Sequence, residues 1–249
     1  MAELLRVENV SRRFGGLTAV NRASFTAEAG RITALIGPNG AGKTTLFAII
    51  TGFIAPSEGR IGYEGADITG LPPHLLARRG IARTFQIAQP FAGLTVRENI
   101  AVGSHLSRAS RADALAAAEE VAKAVGLAPM LDLPAASLTV AGRKRLELAR
   151  ALAIEPKLLL LDEVLAGLNP SEVRDMVPVI RAIAKRGITI VMIEHVMQAV
   201  MSLAEHVFVL AEGSIIAQGA PQAIAADPRV VEAYLGHGAA GRMLGAAHG

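Results

Sequence analysis

Residues 31–45 read RITALIGPNGAGKTT, and the fold turns on this stretch. A short apolar run of Ile32, Ala34, Leu35 and Ile36 leads into the spacing Gly37-x-x-x-x-Gly42-Lys43-Thr44, after which Leu46, Ile49 and Ile50 recur at helical intervals. The pattern predicts strand, glycine loop and helix in that order. Glycines let successive N–H groups turn into one concavity, and the following helix adds the positive end of its dipole at the same point. The loop Gly37, Pro38, Asn39, Gly40, Ala41, Gly42, Lys43, Thr44 and Thr45 is therefore expected to cradle a nucleoside triphosphate. Lys43 would reach the β- and γ-phosphates, and the Thr44 hydroxyl would sit on Mg²⁺.

Further along, four consecutive leucines, Leu158 to Leu161, run into Asp162 and Glu163. Such a run suits a parallel strand covered on both faces, and ligands of these sheets bind beyond the carboxyl ends of the strands. Asp162 is then placed to hold Mg²⁺, directly or through water, and Glu163 to orient and polarise an attacking water. The alternative is a pair of exposed acids ending a strand, which the phosphate loop upstream disfavours. Residues 188–193 form a second apolar strand that ends in Glu194 and His195. A packed or exposed histidine is the plain reading of His195; its place at the end of a strand parallel to the first raises a functional one. Residues 81–86 look strand-like and end in Gln86, by itself a surface amide. Phe14, in the run Arg12-Arg13-Phe14-Gly15-Gly16, is either a turn anchor or an aromatic plate for an adenine.

The remaining chain supplies the frame. Residues 4–10 and 19–27 alternate as two antiparallel strands. Thr95 with Glu98 makes a capping box, and residues 110–125 are Ala-rich with acids and Lys123 on the polar face, so residues 88–155 are expected to form a helical insertion in an α/β frame. Asn169-Pro170-Ser171-Glu172 starts another helix, residues 207–210 and 214–218 a closing hairpin, and Asp227-Pro228 a last helix. Composition agrees: 249 residues with 51% apolar side chains fit one large domain with an insertion. No cysteine excludes disulfides, zinc fingers and thiol chemistry. A net charge of +3, with dispersed charges and few aromatic residues, argues against nucleic acid as a partner. No apolar run approaches the ~18 residues of a bilayer span, so a cytoplasmic protein is expected.

Together these motifs resemble the ATP-binding cassette of ABC transporters over about residues 3–236. Residues 37–45 are similar to its Walker A loop, Gln86 to the Q-loop glutamine, residues 138–143 to the signature, residues 158–163 to Walker B, residues 166–169 to the D-loop and His195 to the switch histidine. Residues 67–73, the run Gly80-Ile81-Ala82-Arg83-Thr84-Phe85-Gln86, Ala166-Gly167-Leu168-Asn169-Pro170 and Glu232-Ala233-Tyr234-Leu235-Gly236 resemble the ATPases of branched-chain amino acid importers. The resemblance implies an α/β P-loop NTPase of RecA-like type with an N-terminal antiparallel β-subdomain and an inserted α-helical subdomain. Residues 1–236 would be the ATPase domain, with residues 1–87 and 156–236 as the ATP-binding core and 88–155 as the helical subdomain, and residues 237–249 a flexible tail.

It also implies a head-to-tail dimer with each ATP between the Walker motifs of one subunit and the signature of the other. By position, Phe14 would stack on adenine, Lys43 and the loop amides would bind phosphate, and Thr44, Gln86 and Asp162 would organise Mg²⁺. Glu163 would be the general base and His195 a γ-phosphate contact, while Thr139 and Ala141 would meet the partner's nucleotide. The implied partners are integral membrane permease subunits, a second ATPase subunit, a sister chain in preference to a copy, and indirectly a periplasmic or extracellular substrate-binding protein. The chain would then be peripheral on the inner face of the membrane. Ile87, Phe91 and Leu94 offer either a docking surface for the permease or a core for the helical insertion. ATPases for urea, amides, aromatic acids or lipid export, a soluble cassette protein and a non-hydrolysing sensor are the other readings. The signature departs from the family pattern: Thr139 replaces Ser, Val140 and Ala141 stand where two glycines are usual, and Gly142 stands at the glutamine. Asn169 likewise replaces the usual Asp, and Val164 the usual Pro.

Overall fold

The computed structural model describes residues 2–85 and 90–235. The glycine loop joins strand β3 (Ile32–Ile36) to helix α1 (Lys43–Ile50), with all five strand residues buried. Before it, β1 (Glu3–Phe14) and β2 (Leu17–Glu28) pair antiparallel, and β4 (Glu58–Tyr63) and β5 (Ala66–Asp67) complete a four-stranded sheet in the order β2-β1-β4-β5. β1 and β2 run further than residues 4–10 and 19–27, because register shifts near Val10 and Arg12 let the hairpin continue to the pair Phe14 and Leu17. Phe14 thus stands at a strand end beside a two-glycine turn. Helix α2 (Pro73–Arg78) precedes β6 (Ile81–Arg83), which stops short of residue 86.

A second sheet carries six strands in the order β10-β9-β3-β8-β7-β6, using β7 (Leu158–Asp162), β8 (Thr189–Ile193), β9 (His206–Ala211) and β10 (Ser214–Gly219). Its strands β9, β3, β8, β7 and β6 are parallel, and β10 closes the edge as an antiparallel hairpin. Alternation along the buried strands feeds two cores. Leu35, Leu158, Leu160, Val191 and Ile193 pack with the antiparallel sheet and α1. Ala34, Ile36, Leu159, Leu161 and Met192 pack toward the helices. A leucine transferred fully from water contributes about 1.5–3 kcal/mol, so the run of four pins β7 at the centre.

The helices come from local signals. Thr95 caps α3 (Val96–Ser104) through a complete capping box with Glu98, and Ser110 caps α4 (Arg111–Val125) on the Asp113 N–H. α4 turns Ala114, Ala118, Ala122 and Val125 inward at helical spacing, small side chains that let α3 and α5 (Val140–Leu152) approach. Asn169 caps α6 (Pro170–Lys185) with Glu172 in a second capping box. Short helices α7 (Met197–Leu203), α8 (Pro221–Ala225) and α9 (Pro228–Leu235) finish the described chain. Among the described residues no helix is long and apolar enough to cross a membrane.

Candidate active site

Strand register assembles the site. Leu35 and Asp162 both lie opposite Ile193, so β3, β8 and β7 end level and the segments starting at Gly37, Glu194 and Glu163 leave the sheet side by side. They meet at a cleft of about 940 Å³ lined by Phe14, the loop from Asn39 to Thr45, Glu163 and His195. Two glycines make the loop possible. A Cβ on Gly37 would sit 1.9 Å from the Leu210 carbonyl oxygen, and one on Gly42, whose φ is +101°, would sit 2.2 Å from that of Ala19. The loop therefore rests directly on β9 and β2 with no room for a side chain.

Lys43 is buried, and its Nζ donates to the Gly37 and Pro38 carbonyls at 2.7 and 2.9 Å. Burial lowers its pKa, while the charges of Glu163 and Asp162 act in the opposite direction. An ammonium with three donors, two held by the loop, presents the third to an anion. The first turn of α1 carries no acidic side chain, which leaves the amides and dipole there to a phosphate. At the same cleft Phe14 is 42% exposed, with the Arg12 guanidinium 4.6 Å from its ring centroid.

Glu163 has a φ of +51°, in the left-handed region where a side chain is strained. Its Oε2 lies 3.3 Å from His195 Nε2. Three buried contacts hold the turn: the Glu163 N–H donates to Ile193 O at 2.9 Å, Lys144 Nζ of α5 donates to Glu163 O at 3.2 Å, and the Leu165 N–H donates to Glu194 Oε1 at 2.9 Å. Glu194 is 1% exposed, and its Oε2 has no hydrogen-bond partner. Burial pushes its pKa to about 7, helped by the Glu163 charge and opposed by the Leu165 N–H and Lys144.

Asp162 is likewise buried. Its N–H donates to Thr84 Oγ1 at 3.0 Å, and its Oδ2 accepts from Arg83 Nη2 at 2.6 Å, while Oδ1 has no partner. Thr44 and Asp162 both line a second cleft of about 840 Å³, together with Arg83, Phe53, Phe85 and Phe91. A buried carboxylate oxygen left unsatisfied in a cleft that Thr44 also lines fits a small hard cation. Among the described residues no cluster of three His, Cys, Asp or Glu could hold a metal.

The structure thus gathers Phe14, residues 39–45, Glu163 and His195 in one cleft, ties Gly37 and Pro38 to it through Lys43, and joins Thr44 to Asp162 in the next. It does not bring Thr139 and Ala141 there. They open α5, where the exposed Thr139 accepts the Gly142 N–H at 3.1 Å. Gln86 and Ile87 lie outside the described residues. Sequence reasoning passed over Arg83, Lys144, Glu147 and Glu194. Arg83, Glu147 and Glu194 sit within or against apolar residues, with Glu194 directly after Val191-Met192-Ile193 the plainest signal, whereas Lys144 is hidden in the basic run Arg143-Lys144-Arg145.

A glycine cradle between a buried parallel strand and a helix, met by the carboxylates of the neighbouring strand ends, defines the class of P-loop nucleotide-binding ATPases. Residues 20–166 match the family model described as ABC transporter, and residues 214–240 the one described as branched-chain amino acid ATP-binding cassette transporter. The chain is 38% identical to the high-affinity branched-chain amino acid transport ATP-binding protein BraF of Pseudomonas aeruginosa, covering 94% of this chain and 98% of that protein. It is 39% identical to the probable branched-chain amino acid transport ATP-binding protein LivG of Archaeoglobus fulgidus, over 94% and 96% of the two chains. A nucleotide-free ATP-binding cassette from an ABC transporter matches at a TM-score of 0.87 and 34% identity, over 95% of this chain and 100% of that one. The ADP conformation of an ABC transporter cassette matches with the same values. The chain belongs to the ABC transporter ATP-binding family, whose members are ATPases coupled to transport.

Proposed function

We propose that this chain hydrolyses ATP, with Mg²⁺, to energise uptake of branched-chain or other hydrophobic amino acids through a membrane permease. The observation that carries the substrate class is the near full-length similarity to branched-chain amino acid transport ATP-binding proteins, together with the match of residues 214–240 to that branch. In this reading the chain is peripheral on the cytoplasmic face of the membrane, pairs with a second ATPase subunit, and is linked only indirectly, through the permease, to a binding protein that captures substrate outside. Residues 1–87 and 156–236 are assigned to the ATP-binding core and 88–155 to the helical subdomain, while the expected tail, residues 237–249, lies outside the described residues. Phe91 is 46% exposed and lines the apolar second cleft with Phe53 and Phe85, which supports a docking surface over a buried core role. Leu94 is half-buried.

The residues divide the work. Phe14 packs on the base, Lys43 and the loop amides hold the phosphates, and Glu163 takes the proton of the attacking water while His195 fixes its carboxylate and faces the γ-phosphate. Thr44, Asp162 and Gln86 would hold Mg²⁺, which neutralises charge on the phosphates when bound. Thr139 and Ala141 complete the partner's site. Steady-state ATPase assays with and without the native membrane partners test the reading: Glu163→Gln should lower turnover roughly 10²- to 10⁴-fold and still bind ATP. Equal rates in variant and wild type would sink the hydrolase assignment, and a native complex lacking any integral membrane subunit the transporter one.

A further inference from the structure

The left-handed conformation of Glu163 needs support, since a non-glycine residue at φ +51° persists only where its surroundings over-determine it. Two of the three contacts that hold this turn come from charged side chains without an assigned role. Lys144, 6% exposed, grips the Glu163 carbonyl at 3.2 Å, and Glu194, 1% exposed, grips the Leu165 N–H at 2.9 Å. They approach from different elements, Lys144 from α5 and Glu194 from the end of β8, and their charges oppose each other across the turn. Buried charges are costly, so this pair sits where an apolar pair would be cheaper unless the turn needs it.

α5 makes the placement informative. Its N-terminus carries Thr139 and Ala141, and Lys144 follows one turn later. Glu147, three residues on and also buried, accepts the Phe85 N–H, next to the segment that holds Gln86. One helix therefore begins at the signature and grips both the base-bearing turn and the entry to residue 86. We propose that Lys144 and Glu194 are positioning residues that clamp Glu163 in its working conformation, and that Lys144 ties this chain's own base to the helix that serves the partner's nucleotide. The coupling rests on the hydrolase reading above; the clamp itself does not.

The test uses the full chain, with Lys144→Met and Glu194→Leu set against Lys144→Arg, which keeps a donor cation, and Glu194→Gln, which keeps an acceptor for Leu165. Kcat and KM for ATP are measured, along with hydrogen exchange of the residue 163 and 165 amides in nucleotide-free protein. The Met and Leu variants should lose roughly ten- to hundredfold in kcat with KM within about twofold of wild type, because a displaced base harms the chemical step more than binding. The Arg and Gln variants should recover most of that loss, and the Leu165 amide should exchange faster in Glu194→Leu. Unchanged kcat and exchange in the Met and Leu variants would overturn the clamp. So would a loss that Arg and Gln do not relieve, or a KM that rises as kcat falls, as a structural defect gives. Glu163→Gln in the same assay keeps the two ideas apart: if it turns over like wild type, the base assignment falls, while the exchange data still decide the clamp.

Discussion

The nucleotide cleft and the N-terminus of α5 both face anions in the function proposed here, yet they are built in opposite ways. In and behind the cleft, Lys43, Asp162, Glu163 and Glu194 are withdrawn from solvent and are held by the backbone, by Arg83 or by His195. At the start of α5, Thr139 is exposed and Val140 is 50% exposed, and the Thr139 hydroxyl caps the helix's own Gly142 N–H. The first region is held together within one chain; the second is an exposed helix end, which the proposed function sets against a partner's nucleotide. Burial concentrates electrostatic effect in the cleft, so substitutions there should act strongly, and those at the exposed first positions of α5 weakly.

Removing Lys43 should break the contrast most. Lys43→Ala takes away a buried charge-assisted donor, and nucleotide affinity measured by titration calorimetry should fall about a hundredfold. Retained affinity would mean that the loop amides carry binding without it.

The titration of Glu194 sharpens the same contrast. An acid whose pKa folding raises from 4.5 to about 7 holds its proton more tightly in the folded chain. Its stabilising share is therefore complete below the unfolded value and is lost as pH rises through about 7. Glu194→Gln cannot ionise and escapes that loss. Its melting temperature relative to wild type should climb by several degrees between pH 5 and pH 8, a change on the order of a few kcal/mol. A difference that stays flat over this range would remove Glu194 from the buried network.

The smallest effect belongs to the signature. Ala141→Gly restores the closer approach a glycine permits but costs the helix about 0.5–1 kcal/mol of propensity. ATP turnover of the assembled transporter should rise about two- to threefold if the methyl narrows the partner's site. Turnover that is equal or lower would show that α5 already accommodates the phosphate.

Much of the framework was legible in the residues alone. The strand, loop and helix of residues 31–50, the caps at Thr95 and Asn169, and the buried runs of β7 and β8 are specified by neighbours a few positions apart, through hydrophobic period and i to i+3 hydrogen bonds. The order of Lys43, Asp162, Glu163 and His195 along the chain pointed to the chemistry because such motifs sit on strand ends. Only the tertiary structure decided which groups meet. Arg83 with Asp162, Lys144 with Glu163 and Leu165 with Glu194 are separated by 79, 19 and 29 positions, and no local pattern encodes them. They follow from the common register of β3, β8 and β7 and from the packing of α5 against the sheet, which fix distances that sequence spacing leaves free. The extension of the first hairpin to Phe14 is of the same kind. The residues fixed a polar turn, and sheet pairing carried the ring to the cleft.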